Sequence, residues 1–275
     1  MSVLCYYNQN ISVLNLPNEF DYMKYALHMS GHSKWAQIKR QKGVTDKKRG
    51  MVFTKLANAI SIIVGETGNG DIESNFRLKM MADKARAANM PKENIHRAID
   101  KGLGKGDKGD LQEVAYEGFG PVGIAVIVEC VTDNKLRIQG EVTNIFNKNG
   151  GTLGKIGSVS YQFNPVGMVT IKKDGKNMDD IFLLAVDAGA TDVEEAGEEV
   201  IVYTNPAGLK TAQENLIQAG FSIIEAELSR KPTITVSIAD KESADRVLSF
   251  IEKLENLDDV QKVYANFDIP DSLVG

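Results

Sequence analysis

GIAVIVECV, residues 123–131, is the stretch that decides the fold. Its β-branched residues follow one another with a single charge, Glu129, and that pattern predicts a buried strand. Similar runs alternate with capped amphipathic segments from there to the end of the chain. Val142, Ile145 and Phe146 mark a helix ended by Gly150, strands are expected at 158–163 and 168–171, and a helix at 179–188 stops at Gly189. Residues 199–203 read as a strand, Asn205 and Pro206 start a helix that Gly220 ends, and 223–227 and 233–238 read as strands. Asp240 opens a last helix with Ala244, Val247, Leu248, Ile251 and Leu254 facing inward, and 260–267 closes the chain as a strand. This order of four β-α-β units suits two ferredoxin-like βαββαβ domains in an α+β body, set in tandem or with one inserted in the other.

Just ahead of the deciding strand, YEGFGP at 116–121 brings Gly118, Gly120 and Pro121 next to Gly123. They read as the turn into the sheet rather than as a backbone approach to a ligand. Before them GLGKGDKGD, 102–110, is expected to be a flexible linker. Its GxGxG string follows a helix, so a dinucleotide-binding reading lacks the strand it needs. Further back lies a small three-helix unit. Phe53, Leu56, Ile60 and Ile63 recur at helical spacing until the glycines at 65–70 stop them, 76–88 is built of strong helix formers, and Pro91 opens a third helix whose Ile95, Ala98 and Ile99 pack back on the others.

HSKWAQIKRQKGVTDKKR, 32–49, has seven Lys/Arg in eighteen residues and few apolar side chains. Charge surrounds any helix formed there, so the segment reads as an arm that orders on a partner. Residues 1–28 carry one basic residue, Lys24, and no unbroken apolar stretch, which excludes a standard signal peptide and an Arg-rich presequence. They are expected to be an extension or a start-codon artefact, without function.

The net charge of −5 conceals a split. Residues 29–108 hold 17 Lys/Arg against 8 Asp/Glu, whereas 109–275 hold 14 against 27. A basic block on an acidic body suggests one module that meets a polyanion and another that offers a surface to a protein partner. Cys5 and Cys130 are too few for a disulfide scaffold or a Cys-rich zinc site, and no run reaches the roughly 18 apolar residues of a membrane span. The expected compartment is a reducing cytoplasm, away from membranes.

The sequence points to no catalytic group, metal or cofactor. His28, His32 and His96 have no second ligand at metal spacing, and GGTLGKI at 150–156 lacks the leading Gly and the Ser/Thr of a phosphate loop. Acidic clusters at 192–199 and 258–259 read as solvated surface, and Glu117 and Glu129 are the carboxylates on which an enzyme reading would rest. KNGG at 148–151 is first a helix stop and second a loop presenting Lys148 to phosphate. The basic module carries the functional signal. His32, Lys34, Trp35, Lys39, Arg40, Lys42, Lys47, Lys48 and Arg49 in the arm, with Lys55, Arg77, Lys79, Lys84 and Arg86 behind it, can neutralise phosphates and release counterions. Trp35 and His32 add rings that stack on an unpaired base.

In their order, GHSKW (31–35), IK (38–39), KRG (48–50), FTKL (53–56), ANMPKENI (88–95), YEGFGP, VECVTDN (128–134), KNGG, GSVSYQF (157–163) and DDVQKVYAN (258–266) resemble the YebC family, which includes the mitochondrial translational activator of cytochrome oxidase. The likeness covers about nine tenths of the chain, from Met29 on. It implies a helical basic domain at 29–107, an α+β domain at 108–164 plus 231–275, and a second α+β domain inserted at 165–230. It also implies nucleic acid as partner: members are generally described as DNA-binding transcriptional regulators, while the mitochondrial member points to translation and ribosomal RNA. The chain departs from the family where Arg40 and Gln41 follow IK in place of a His and an Arg. It departs again where Lys135 and Arg137 flank Leu136 in place of two arginines, leaving Arg137 as the candidate for a bidentate contact.

Overall fold

The computed structural model describes residues 46–105 and 111–273. The extension at 1–28, the arm up to Thr45 and the linker at 106–110 lie outside the described residues.

Three helices open the chain: α1 (Asp46–Thr67), α2 (Phe76–Ala87) and α3 (Lys92–Gly102). Asn75 starts α2 by accepting the Leu78 N–H on its side-chain oxygen at 3.1 Å, and Pro91 sits ahead of α3, where its missing N–H costs nothing. Leu56, Ile60, Ile63 and Val64 of α1 pack on Leu78, Ala82 and Ala85 of α2 and on Ile95, Ala98 and Ile99 of α3. The Ser61 hydroxyl donates to the Ala98 carbonyl at 2.8 Å, tying α1 to α3 in the middle of this core. Gly102, expected in a flexible linker, belongs to α3. A β-carbon there would stand 2.5 Å from the Ser61 carbonyl oxygen and 2.7 Å from Val64 Cβ, so the close approach of α3 to α1 requires glycine.

The outer α+β unit starts with β1 (Gln112–Phe119) and β2 (Ala125–Thr132), paired antiparallel from Gln112↔Thr132 to Phe119↔Ala125. YEGFGP therefore divides: Tyr116–Phe119 finish β1 and Gly120–Gly123 form the turn. Next come α4 (Lys135–Lys148) and β3 (Thr152–Leu153), and after the insertion β8 (Val236–Ser237), α7 (Lys241–Glu255), β9 (Val260–Ala265) and β10 (Phe267–Asp268). The sheet order is β3-β1-β2-β9, all antiparallel. The α+β class and the insertion agree with expectation, while the outer unit opens on a hairpin rather than a β-α-β crossover. One face of its sheet meets α4 and α7 over Ile124, Val126, Val128, Phe146, Val247 and Phe250, with the Phe146 and Phe250 rings edge to face at 5.0 Å. The other face is thinner, covered by Val159 and Phe163 over Ile127 and Tyr264.

The inserted unit runs β4 (Phe163–Lys172), α5 (Met178–Asp187), β5 (Asp192–Ala196), β6 (Glu199–Thr204), α6 (Leu209–Gln218) and β7 (Ile223–Pro232), in sheet order β5-β6-β4-β7. This is the βαββαβ plan, with α5 and α6 packed over Val169, Ile171, Val200 and Val202. The structure departs in part from two expectations. Of the strand expected at 158–163 only Phe163 is extended, as the first residue of β4. The Glu117 carboxylate gathers the N–H groups of Gly157, Val159 and Ser160, each at 2.9 Å, and that convergence curls the backbone into a turn before β4 begins. The acidic cluster at 192–199 forms the β5 strand and its connection to β6; Asp192, Glu195 and Glu198 are solvated surface as expected, and Glu194 is the exception. Glu194 is buried there, accepting from the Tyr203 hydroxyl at 2.9 Å and pairing with Lys231 at 2.8 Å.

Candidate nucleic-acid interface

Of the fifteen sequence-predicted residues, His32, Lys34, Trp35, Lys39, Arg40 and Lys42 fall outside the described part. Lys47, Lys48 and Arg49 fall in the first turn of α1. Cations at a helix N-terminus oppose the macrodipole, so helix stability does not account for three of them there.

Lys55 sits two turns further on, and its ammonium donates to the Glu255 carbonyl at 2.5 Å. A cation at the C-terminus of α7 is well placed electrostatically, and the contact joins the helical domain to the outer unit. The four α2 candidates divide by flank. Arg77 turns to Glu66 of α1 at 2.8 Å, and Lys84 turns to β7, reaching Glu225 at 2.5 Å and Glu227 at 3.0 Å. On the opposite flank Lys79 pairs with Glu73 at 2.8 Å and Arg86 with Asp83 at 2.6 Å, all four groups well exposed. Exposed pairs of this kind contribute about 0.2–1 kcal/mol, so a phosphate displaces either carboxylate at small cost. Arg137, in the first turn of α4, is bound to Asp133 at 3.0 Å and Asp259 at 2.7 Å.

Lys84 differs in kind from its neighbours. Burial works against its charge, but Glu227 and Glu225 outweigh that and hold its pKa above the ordinary lysine value. Met80 packs into the inserted unit's core and the Lys210 ammonium lies 5.8 Å over the Phe76 ring, so α2 is docked on the inserted unit along this flank. Lys262 of β9 also reaches Glu227, at 3.1 Å, which brings all three units to one ion cluster. Charge counting could not find Glu225 and Glu227. Their signal is the alternation of glutamates in IIEAEL, which puts both on one face of a strand. Lys84→Ala is expected to lower stability by about 1–2 kcal/mol once its exposure is allowed for, with faster amide exchange in β7. Unchanged exchange would show that Lys84 ties nothing down.

The carboxylates of the enzyme reading are occupied. Glu117 is 5% exposed; burial opposes its charge, yet the three backbone donors prevail and hold its pKa below the ordinary glutamate value. Glu129 accepts from Arg230 at 3.0 Å across the seam between the two α+β units, and from the Tyr264 hydroxyl at 3.3 Å within its own sheet. Burial pushes the Cys130 thiol up to about 12, which makes it a poor nucleophile. Among the described residues no group of three His, Cys, Asp or Glu is placed to hold a metal, and no helix is long and apolar enough to cross a membrane.

Comparison with known proteins gives matches along the chain. A model described as the TACO1/YebC protein N-terminal domain matches residues 33–105, and one described as the TACO1/YebC second and third domain matches 111–267. A protein of Roseiflexus castenholzii named "Probable transcriptional regulatory protein" is 48% identical over 249 residues, covering 89% of this chain and 97% of its own length. A protein of the same name from Syntrophomonas wolfei is 45% identical, covering 90% and 99%. The crystal structure of a conserved hypothetical protein from Aquifex aeolicus superposes with a TM-score of 0.76 at 41% identity, covering 82% of this chain and 93% of that one.

Proposed function

The chain belongs to the TACO1/YebC family, and from that premise we propose that it regulates gene expression by binding nucleic acid in the cytoplasm, without catalysing a reaction. The observation that carries the proposal is the charge division, 17 Lys/Arg against 8 Asp/Glu in 29–108 beside 14 against 27 in the remainder. Cations crowded into the N-terminal turn of α1 against the helix dipole add to it. The name carried by the relatives, probable transcriptional regulatory protein, supports duplex DNA as the polymer.

RNA is the second reading, favoured by the placement of α2. That helix carries four cations, but its Arg77 and Lys84 flank is turned to α1 and β7, so it is not presented as a free recognition helix for a major groove. Backbone contacts plus base stacking suit folded or single-stranded RNA better. Crosslinking in cells followed by sequencing of the bound nucleic acid separates the two: promoter DNA supports the first, ribosomal or messenger RNA the second, and neither above background defeats both.

Trp35 gives a sharper measure of the same choice. A ring in a polar arm has little use on a duplex backbone, whereas stacking on an exposed base contributes about 1–3 kcal/mol. Trp35→Ala is expected to weaken RNA binding about tenfold or more and to leave duplex DNA binding nearly unchanged. Greater damage to DNA binding, or an unfolded helical domain, counts against the RNA reading.

A further inference from the structure

Outside the basic module, three cations with no ion pair among the described residues stand together. An open depression of about 660 Å³ lies between the KNGG turn and α7, lined among others by Lys148, Arg246, Lys253 and Ser249. Gly150 turns there with φ 76, and a β-carbon on it would stand 3.7 Å from Arg246 Nη2, so the guanidinium lies over the turn. Lys253 donates to Asn149 Oδ1 at 2.9 Å, a neutral partner that fixes the ammonium without cancelling its charge. Glu242 and Asp245 line the same depression and Asp240 feels the charge of Arg246, yet none of the three cations makes an ion pair within 4 Å among the described residues. On α2 the opposite holds, with all four candidate cations paired.

The helix that lines the depression also touches the helical domain. Lys55 of α1 grips the last carbonyl of α7 at Glu255, two residues beyond Lys253. Arg246 is nine residues before Glu255, about 14 Å of helix rise. The helical domain and the depression are thus joined by one helix, α7, through the Lys55 contact at its end.

We propose that Lys148, Arg246 and Lys253 form a second phosphate-binding site, which holds the backbone of the same nucleic-acid strand that the helical domain engages. The proposal rests on the nucleic-acid reading and extends the binding surface onto the acidic body, where the charge count predicts none. The ligand is a phosphodiester chain. The two acidic side chains at the rim disfavour a small free anion, which gains nothing from contacts elsewhere.

The test uses the full chain with Lys148, Arg246 and Lys253 all changed to Gln, all three being exposed. Binding of a single-stranded RNA is followed by fluorescence anisotropy over a salt series. The triple variant is expected to bind about tenfold or more weakly and to lose about 2 from the log-log salt slope, three contacts at roughly 0.7 each. Glu242→Gln with Asp245→Asn is expected to tighten binding several-fold. A triple variant with the wild-type slope and affinity overturns the site while leaving the nucleic-acid reading intact. A wild-type chain that binds neither RNA nor DNA overturns that reading and the site with it. AMP competing as well as RNA at equal phosphate concentration would make the depression a nucleotide pocket and end the strand proposal.

Discussion

Glu117→Ala is expected to lower stability by about 4 kcal/mol, because one carboxylate serves three backbone donors and each loses a charge-assisted partner worth about 1.5–3 kcal/mol before non-additivity. The residue sits in β1 opposite Ile127 and is nearly buried, so water does not readily replace the lost acceptor. For a chain of this size the change is a drop of roughly 10 °C in Tm. A drop below about 2 °C would show that the 157–160 turn holds itself.

The pH dependence has a fixed sign. The folded carboxyl titrates below its unfolded value, so its stabilisation is present above the ordinary glutamate pKa of about 4.3 and is lost as pH falls through the lower folded value. Glu117→Gln keeps the shape and removes the charge. Urea unfolding should separate wild type from this variant at neutral pH, with the gap narrowing as pH falls below about 4.3. A constant gap across that range would mean that the charge contributes nothing.

Replacing Lys39, Arg40, Lys47, Lys48 and Arg49 together with Gln is expected to weaken binding to all sequences alike, on the order of a hundredfold at moderate salt. Five phosphate contacts at about 0.9 each predict that the salt slope on duplex DNA falls by roughly 4, and at about 0.7 each by somewhat less on single strands. The helical core should persist, since Leu56, Ile60, Leu78 and Ile95 lie below the substituted turn. Circular dichroism checks that point and anisotropy the slope. A loss confined to one sequence would indicate base readout instead, and an unchanged slope would move the interface elsewhere.

The helices were legible because one face alone is apolar. Leu56, Ile60 and Ile63, or Ala244, Val247, Ile251 and Leu254, repeat at helical spacing and are buried. β1 was not, because QEVAYEGF carries two glutamates, and the one at position 117 faces a turn of backbone N–H groups rather than water. β5, DVEEA, failed in the same way: Glu194 is neutralised by Lys231 and Tyr203, which sequence spacing cannot reveal. The basic module was visible by counting. Its division into docked and outward flanks was not, since the carboxylate at position 227 lies 143 residues from Lys84.

Phe163↔Pro232 begins the β4 and β7 ladder, so the inserted unit enters and leaves the outer one at a single point. The outer sheet, by contrast, is split in time. Its first two strands end at Thr132, while α7, whose Val247 and Phe250 cover them, ends at Glu255. At a synthesis rate of about 5–20 residues per second, those strands wait roughly 6–25 s for their cover. The inserted unit, contiguous in sequence, can finish folding in that interval. The outer unit is a clasp that closes last, and a chain interrupted between α4 and α7 leaves Ile124, Val126 and Val128 covered by α4 alone, half open to proteases and chaperones. Only a finished product hides them.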